Sequence, residues 1–491
     1  MTRAENWQLA LRICEESGDE VIASLRIALL NDFGKTDHFS KANNFRQLAG
    51  CVKSFPPFRR KAGICQVPSG RPMILIPATS GSNLLNLLPV AQEARRRGLL
   101  GGIVAGESFQ KAGSTALSEF EHVVSETALR SLTGLGFLPK SFARAARRLK
   151  RLIVRLNNYS PHCAKRVEQN YGAYIRLMVT SEGMSIAYRQ LFSMWRPSFM
   201  ISTSDFWPPE FQCCWQARRV GVPTAILQHG VMSDLSVWPT YHDTFLAWGE
   251  TFREQLLTQG APAERIRVLG MPASDNLFAR SKQNAGKATN GTAPVCLVLS
   301  HTQDRIEEFA LFEEFGQCLA EAIRSTPGVK WKIKLHPAED DSFYQERAFS
   351  KFGQLEILSR HVSLEQAVEE ATVVCTIRST AGLQAMMLQK PLIVLDLSSL
   401  SGPPVAWPTQ GGGIYVKNAV EFKNSLERLA NDREYSGSLL ASQAEFLNNT
   451  FANKGKAACA IVDFLEGQTP THSAKLAGKQ VIKNSRSSMQ S

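Results

Sequence analysis

Two short runs carry residue types suited to holding a diphosphate. Lys334-Leu335-His336-Pro337-Ala338-Glu339 closes a strand-like stretch that begins at Trp331. Ile377-Arg378-Ser379-Thr380-Ala381-Gly382-Leu383-Gln384 follows a second such stretch, Ala371 to Thr376. The Ser-Thr-Ala-Gly turn predicts the start of a helix, which offers unsatisfied N–H groups and the positive end of a dipole. Ser379 and Thr380 would add hydroxyl donors, and Lys334 or Arg378 would neutralise charge. A departing diphosphate gathers negative charge, so fixed donors here would assist it without a metal, and no metal or other cofactor is expected. The same residues also have a plainer reading. Ser-Thr at a helix start is often an N-cap, and His-Pro after a strand is often a turn.

A proton acceptor is the second requirement of a transfer to a hydroxyl. His229, in Gln228-His229-Gly230, follows a strand pattern, and an imidazole can take a proton near neutral pH. Asp205, in Ser204-Asp205-Phe206-Trp207-Pro208, also follows a strand. His229 is preferred to Asp205. Ser82 and Asn83, in the small-residue turn after Met73 to Ala78, could position an acceptor. Each of these could instead cap a helix or satisfy a buried carbonyl. His301, after Val295 to Ser300, is open between a nucleotide contact and a turn.

These residues need a scaffold of strands. Met73–Ala78, Leu99–Ala105, Phe199–Thr203, Pro223–Gln228 and Thr244–Gly249 form one set of apolar runs, with helix-like segments between. Val295–Ser300, Trp331–Leu335, Ala371–Thr376 and Pro391–Asp396 form another. Alternation of strand and helix predicts parallel sheets, whose ligands lie beyond the carboxyl ends of the strands. The expected organisation is a helical extension over 1–70, an α/β domain over 71–272, a polar linker over 273–294, an α/β domain over 295–466 and a disordered tail over 467–491.

The motif residues also carry a family resemblance. Ala371 to Asp396 (ATVVCTIRSTAGLQAMMLQKPLIVLD) resembles the late C-domain signature of the GT-B glycosyltransferases. KLHPAE is similar to the His-Pro motif of bacterial sialyl-, Kdo- and glycerophosphotransferases. Gln228-His229-Gly230 resembles the histidine-glycine motif of capsule and teichoic-acid polymer enzymes. Phe245 to Asp275 is similar to the segment that crosses between domains in these transferases and in UDP-GlcNAc 2-epimerases. The likeness covers about 200 residues in pieces, is strongest after residue 223 and is weak over 106–195. It implies two Rossmann-like domains facing a central cleft, with a nucleotide-sugar donor on the C-domain at Lys334, His336, Arg378, Ser379, Thr380 and Gln384. His361 lies where relatives place a base-binding loop. Gln384 stands where many relatives carry a Glu for the ribose diol, and the first loop lacks their Gly-His histidine.

The implied activity is metal-independent transfer of a sugar to a surface polysaccharide or lipid-linked glycan. The alternatives are a CDP-glycerol-type glycerophosphotransferase, a UDP-GlcNAc 2-epimerase-like enzyme and a non-catalytic protein of the same shape.

The net charge of +12 over 491 residues resembles a nucleic-acid signal until it is located. Lys140, Arg144, Arg147, Arg148, Lys150, Arg151 and Arg155 lie in a stretch without acids, and Lys475, Lys479, Lys483 and Arg486 lie in an acid-free tail. These two places hold nearly all of the excess. Leu138, Phe142, Ala145, Leu149, Leu152 and Leu156 predict an amphipathic helix over 138–156. Its cationic face, Lys140 to Arg155, suits an anionic membrane surface or an acidic acceptor, and equally a solvated face. Without interleaved aromatics it does not suit nucleic acid. The ten cysteines form no C-x-x-C pair, which points to buried free thiols. With no apolar run at the start and Glu5, Glu15, Glu16, Asp19 and Glu20 close behind, a cytoplasmic protein is expected, peripheral at the inner membrane face if the cationic helix engages lipid.

Overall fold

The computed structural model describes residues 3–26, 28–29, 64, 71–78, 80–106, 115–205, 208–230, 240–284, 293–300, 309–336, 339, 342–346, 349–359, 362–377, 379–397 and 407–468. The chain divides into two compact units. The first comprises Met1–Trp248, Phe252–Ala273 and Lys456–Ser491, and the second Gly249–Thr251 and Ser274–Gly455.

The first unit holds strands β1 (Met73–Ala78), β2 (Leu100–Ala105), β3 (His122–Ser125), β4 (Phe199–Ser202), β5 (Thr224–Leu227), β6 (Thr244–Ala247) and β7 (Ile266–Val268). They form one parallel sheet in the order β3-β2-β1-β4-β5-β6-β7. The second unit repeats the pattern with β8 (Val295–Leu299), β9 (Lys330–Lys334), β10 (Leu355–Ile357), β11 (Val373–Thr376), β12 (Leu392–Leu395) and β13 (Ile414–Val416). Their order is β10-β9-β8-β11-β12-β13, again all parallel. The central strands are buried along their whole length, as continuous apolar runs must be when helices cover both faces. The order reverses between β1 and β4 and between β8 and β11, and beyond such switch points a parallel sheet leaves room for a ligand.

Helices α1 (Arg3–Ser17) and α2 (Glu20–Ala23) pack into a core with α5 (Leu138–Tyr159), α6 (Pro161–Gln169) and α7 (Tyr171–Trp195). Between them come α3 (Gly81–Arg96) and α4 (Glu126–Ser131). The basic helix thus runs three residues past its expected end. Its leucines, Leu149, Leu152 and Leu156, lie buried against Leu9, Ile13 and Val21. The second unit has its own core, in which Trp331 meets Phe422 edge-on at 5.4 Å.

Two boundaries differ from the sequence expectation. The polar segment read as a linker over 273–294 contains a helix, Asp275–Asn284, in which Leu277 is buried while Arg280 pairs with Glu369. The last described helix, Ala457–Gln468, joins the first unit rather than the second. Arg97, at the end of α3, reaches Asp463, Glu466 at 3.0 Å and the backbone oxygen of Cys459 at 3.3 Å, and Glu93 holds Arg97 from the other side at 2.7 Å. Phe464 adds an edge contact to Phe199. The tail over 469–491 lies outside the described residues. Eight described cysteines are free thiols and seven of them are buried.

Candidate functional site

In the second unit, Lys334, Leu299 and Thr376 form one row across three neighbouring strands, since Leu299 is in register with both of the others. The loops carrying His336 and Ser379 therefore leave the sheet along one edge. The row is tied by polar groups. Ser300 N–H donates to the Lys334 carbonyl at 3.1 Å, and Ser379 N–H donates to Thr376 Oγ1 at 3.2 Å. Thr380 stands at the N-terminus of the helix Ala381–Met387, where Ser379 Oγ accepts the Ala381 N–H at 3.3 Å. Ser379 is a capping residue in this geometry. Lys334, His336, Ser379, Thr380 and Gln384 are all half-buried, Gln384 one turn into the helix. Gly382 lets this turn sit close. A Cβ there would stand 3.0 Å from Trp407 and 3.1 Å from Thr376.

The sequence reading passed over Glu339, which organises the loop after β9. Its buried carboxylate accepts from Ser300 Oγ at 2.8 Å and from the His336 backbone N–H at 3.1 Å. Ser300 also meets the Tyr344 hydroxyl at 2.5 Å, and burial together with the charge of Glu339 pushes that phenol well above its usual range. The last residue of KLHPAE thus bolts the His336 loop to the end of β8. Lys390, of the Lys-Pro pair, donates to the Glu369 and Ala371 carbonyls at 2.9 and 2.7 Å, where helix Leu364–Glu370 ends. His301, His361 and Arg378 lie outside the described residues.

In the first unit, Gln228 is buried. Its amide accepts from the Trp248 N–H and donates to the Gly230 carbonyl, both at 3.0 Å. This clamp fixes the turn so that His229 is exposed. Asn86, on α3, donates its amide to the His229 carbonyl at 3.3 Å and approaches Nδ1 at 3.2 Å. Although the residue is open to solvent on one side, nearby protein partly desolvates the ring and lowers its pKa, which favours neutral imidazole.

The other acceptor-side residues behave differently. Asp205 is buried and pairs with buried Arg26. It accepts from Thr240 Oγ1 at 3.0 Å and the Tyr241 N–H at 2.8 Å, and stands 3.5 Å from His242 Nδ1. Burial alone would raise its pKa, but the Arg26 charge and the His242 and Tyr241 hydrogen bonds outweigh it and hold the carboxyl far below the usual range. A carboxylate so placed is a core ion pair and a poor proton acceptor, which corrects the base role expected for Asp205. His242 also meets Ser202 Oγ at 2.9 Å. This Ser-His-Asp set is sealed, with each member at most 1% exposed, and no substrate reaches it. Asn83 likewise turns inward, donating to Glu210 Oε1 at 3.4 Å. Ser82 lies in α3, its side chain outside the described residues. Among the described residues no three His, Cys, Asp or Glu side chains gather as metal ligands.

Residues 310–417, which contain KLHPAE and the Ser-Thr-Ala-Gly turn, match the family model described as capsule polysaccharide biosynthesis protein. No curated protein sequence matches the chain. Among solved structures the chain is similar to a UDP-GlcNAc 2-epimerase from Neisseria meningitidis bound to UDP-GlcNAc, with a TM-score of 0.54 and 13% identity over 81% of this chain and 100% of that one. It is similar to a putative UDP-N-acetylglucosamine 2-epimerase from Listeria monocytogenes, with a TM-score of 0.54 and 11% identity over 80% of this chain and 95% of that one. A third is the UDP-GlcNAc 2-epimerase from Methanocaldococcus jannaschii in complex with UDP-GlcNAc and UDP, with a TM-score of 0.50 and 14% identity over 81% and 99%. At such identities the likeness is one of fold, and the fold is GT-B-like.

Proposed function

We propose that this chain is a GT-B-type glycosyltransferase of polysaccharide biosynthesis. It would move a sugar from a nucleotide-sugar to a hydroxyl of a surface polysaccharide or lipid-linked glycan, without a metal. The observation that carries the reading is the row Lys334–Leu299–Thr376, from which the His336 loop and the Ser379–Thr380 turn leave on either side of β8 within the capsule-model match. Lys334, His336 and Arg378 would face the donor diphosphate, with the N–H groups and hydroxyls of Ser379 and Thr380. Gln384 would face the ribose. His229 would meet the acceptor through Nε2. With Nδ1 accepting from Asn86, the neutral ring carries its hydrogen at Nε2, so it would orient the acceptor oxygen as a donor, and the proton displaced from the acceptor hydroxyl would pass to the departing diphosphate.

The test is a thermal-shift screen of the full chain against CMP-, UDP-, GDP- and CDP-linked donors, followed by transfer assays with and without EDTA. A stabilising donor whose effect disappears in His336→Ala and in Lys334→Ala supports the site. Binding that survives both changes sinks it. A second reading is favoured by the fold neighbours, two of which are described with UDP-GlcNAc bound. An epimerase needs no acceptor, so isomerisation of the nucleotide-sugar alone, followed by NMR, would select that reading over transfer.

A further inference from the structure

The cationic face of α5 is divided by its partners. Arg148 donates to Asp19 at 2.7 Å and to Glu182 at 3.0 Å, and Arg144 pairs with Glu182. These two side chains fasten the helix to the domain. The apolar stripe is spent in the core, with Ala145, Leu149, Leu152 and Leu156 buried. What is left over is specific. Lys140, Arg147, Lys150 and Arg151 are exposed and Arg155 half-exposed. Among the described residues no carboxylate lies within ion-pair distance of any of the five.

Arg147, Arg151 and Arg155 follow at four-residue spacing, and Lys150 adds a three-residue neighbour to Arg147. Like charges so placed oppose the helix. Among the described residues nothing relieves that repulsion, and a negative charge supplied from outside the domain would. The four side chains with Val154 and Asn158 line an open recess of about 470 Å³. Val154, within this group, is 58% exposed, and Tyr159 at the helix end is 43% exposed with its hydroxyl on Glu16.

We propose that this face docks the protein on an anionic lipid bilayer, Arg147, Lys150, Arg151 and Arg155 meeting lipid phosphates while Val154 enters the head-group boundary. A dissolved polyanion would satisfy the cations but give the exposed valine no apolar surroundings; an interface satisfies both. The helix lies on the membrane and does not span it, and among the described residues no helix is long and apolar enough to cross one. The inference stands on the helix alone and does not depend on the transferase reading.

The test is co-sedimentation of the full chain with phosphatidylcholine vesicles containing or lacking phosphatidylglycerol. Each cation brought to an anionic leaflet strengthens binding roughly five-fold. The protein should therefore bind the anionic vesicles at low salt and release them at high salt. The combined Arg147→Gln, Lys150→Gln, Arg151→Gln and Arg155→Gln variant should bind nearly three orders of magnitude more weakly, roughly 600-fold. The basic tail is present in both proteins, so the difference reports the helix. Should the quadruple variant not fold, the pairs Arg147→Gln/Arg151→Gln and Lys150→Gln/Arg155→Gln should each lose roughly ten-fold or more. Arg148→Gln should keep vesicle binding while lowering the melting temperature. Equal binding to neutral vesicles, undiminished binding by the variants, or binding to polyglutamate with none to anionic vesicles would each overturn the proposal.

Discussion

Asn86 holds His229 at two points, 3.3 Å from its carbonyl oxygen and 3.2 Å from Nδ1, across 143 residues of sequence. A carbonyl accepts hydrogen bonds and never donates, so the Asn86 atom facing it is the NH2 group. The same NH2 then faces Nδ1, which must be the ring's unprotonated nitrogen. This geometry favours the Nε2–H tautomer of His229.

The ring-nitrogen resonances of labelled protein should show this tautomer near neutral pH, together with a pKa below the ordinary histidine value. In Asn86→Asp the carboxylate would accept from Nδ1–H, leaving a bare lone pair at Nε2. Turnover should then fall roughly 10²-fold or more, with the nucleotide Kd unchanged. An unaltered rate in Asn86→Asp would mean that the tautomer has no part in the reaction.

Asp205→Asn leaves the Arg26 guanidinium buried without its charge partner. Removing one member of a buried ion pair costs about 3–5 kcal/mol. Urea denaturation should show a loss of that order, and any fall in activity should track the folded fraction. A stable but inactive Asp205→Asn protein would restore the base role. The linkage sign follows from the direction of the shift. The carboxylate's stabilising contribution is complete above its unfolded pKa, 3.8, and is lost only as pH falls through the lower folded value.

Glu339→Ala removes both acceptor oxygens. Ser300 Oγ and the His336 N–H lose their bonds to the buried carboxylate, at about 1–3 kcal/mol for each bond removed. Nucleotide-sugar affinity should weaken more than the melting temperature suggests, because the freed loop carries His336. Isothermal titration of folded protein checks this, and unchanged affinity would remove His336 from the donor site.

The legible part of the molecule was the part written in short range. Val295–Leu299, Val373–Thr376 and Leu392–Leu395 read as buried strands because each is a bounded apolar run, and the turn after Thr376 read as a helix start because its capping groups are neighbours in sequence. Asp205 misled because its distinguishing partner, Arg26, lies 179 residues away. Glu339 was within the motif, but its role appears only when the end of β8 brings Ser300 to it. Asp275–Asn284 escaped because its sequence runs into Ser, Lys, Gln and Asn, a composition shared with loops, and only tertiary contact distinguishes the two.

Glu93 makes an acid-sensitive clasp on the same principle of distant partners. Hydrogen bonds from Arg96, opposed by burial and aided by Arg97, pull its carboxyl from 4.5 to about 2. Folded Glu93 therefore holds its charge where the unfolded residue would protonate. Its contribution is whole above pH 4.5 and fades as the pH falls toward 2. Because Arg97 links Glu93 to Asp463 and Glu466, the last helix should loosen first in acid. Hydrogen exchange should show amides of 457–468 losing protection as the pH falls from 4.5 toward about 2, ahead of the β1–β2 amides. Glu93→Gln should show that loosened helix already at neutral pH, at a cost of about 1 kcal/mol. If 457–468 keeps its protection in Glu93→Gln, the helix is held by Phe464 and its apolar neighbours, and the charge chain through Arg97 is incidental.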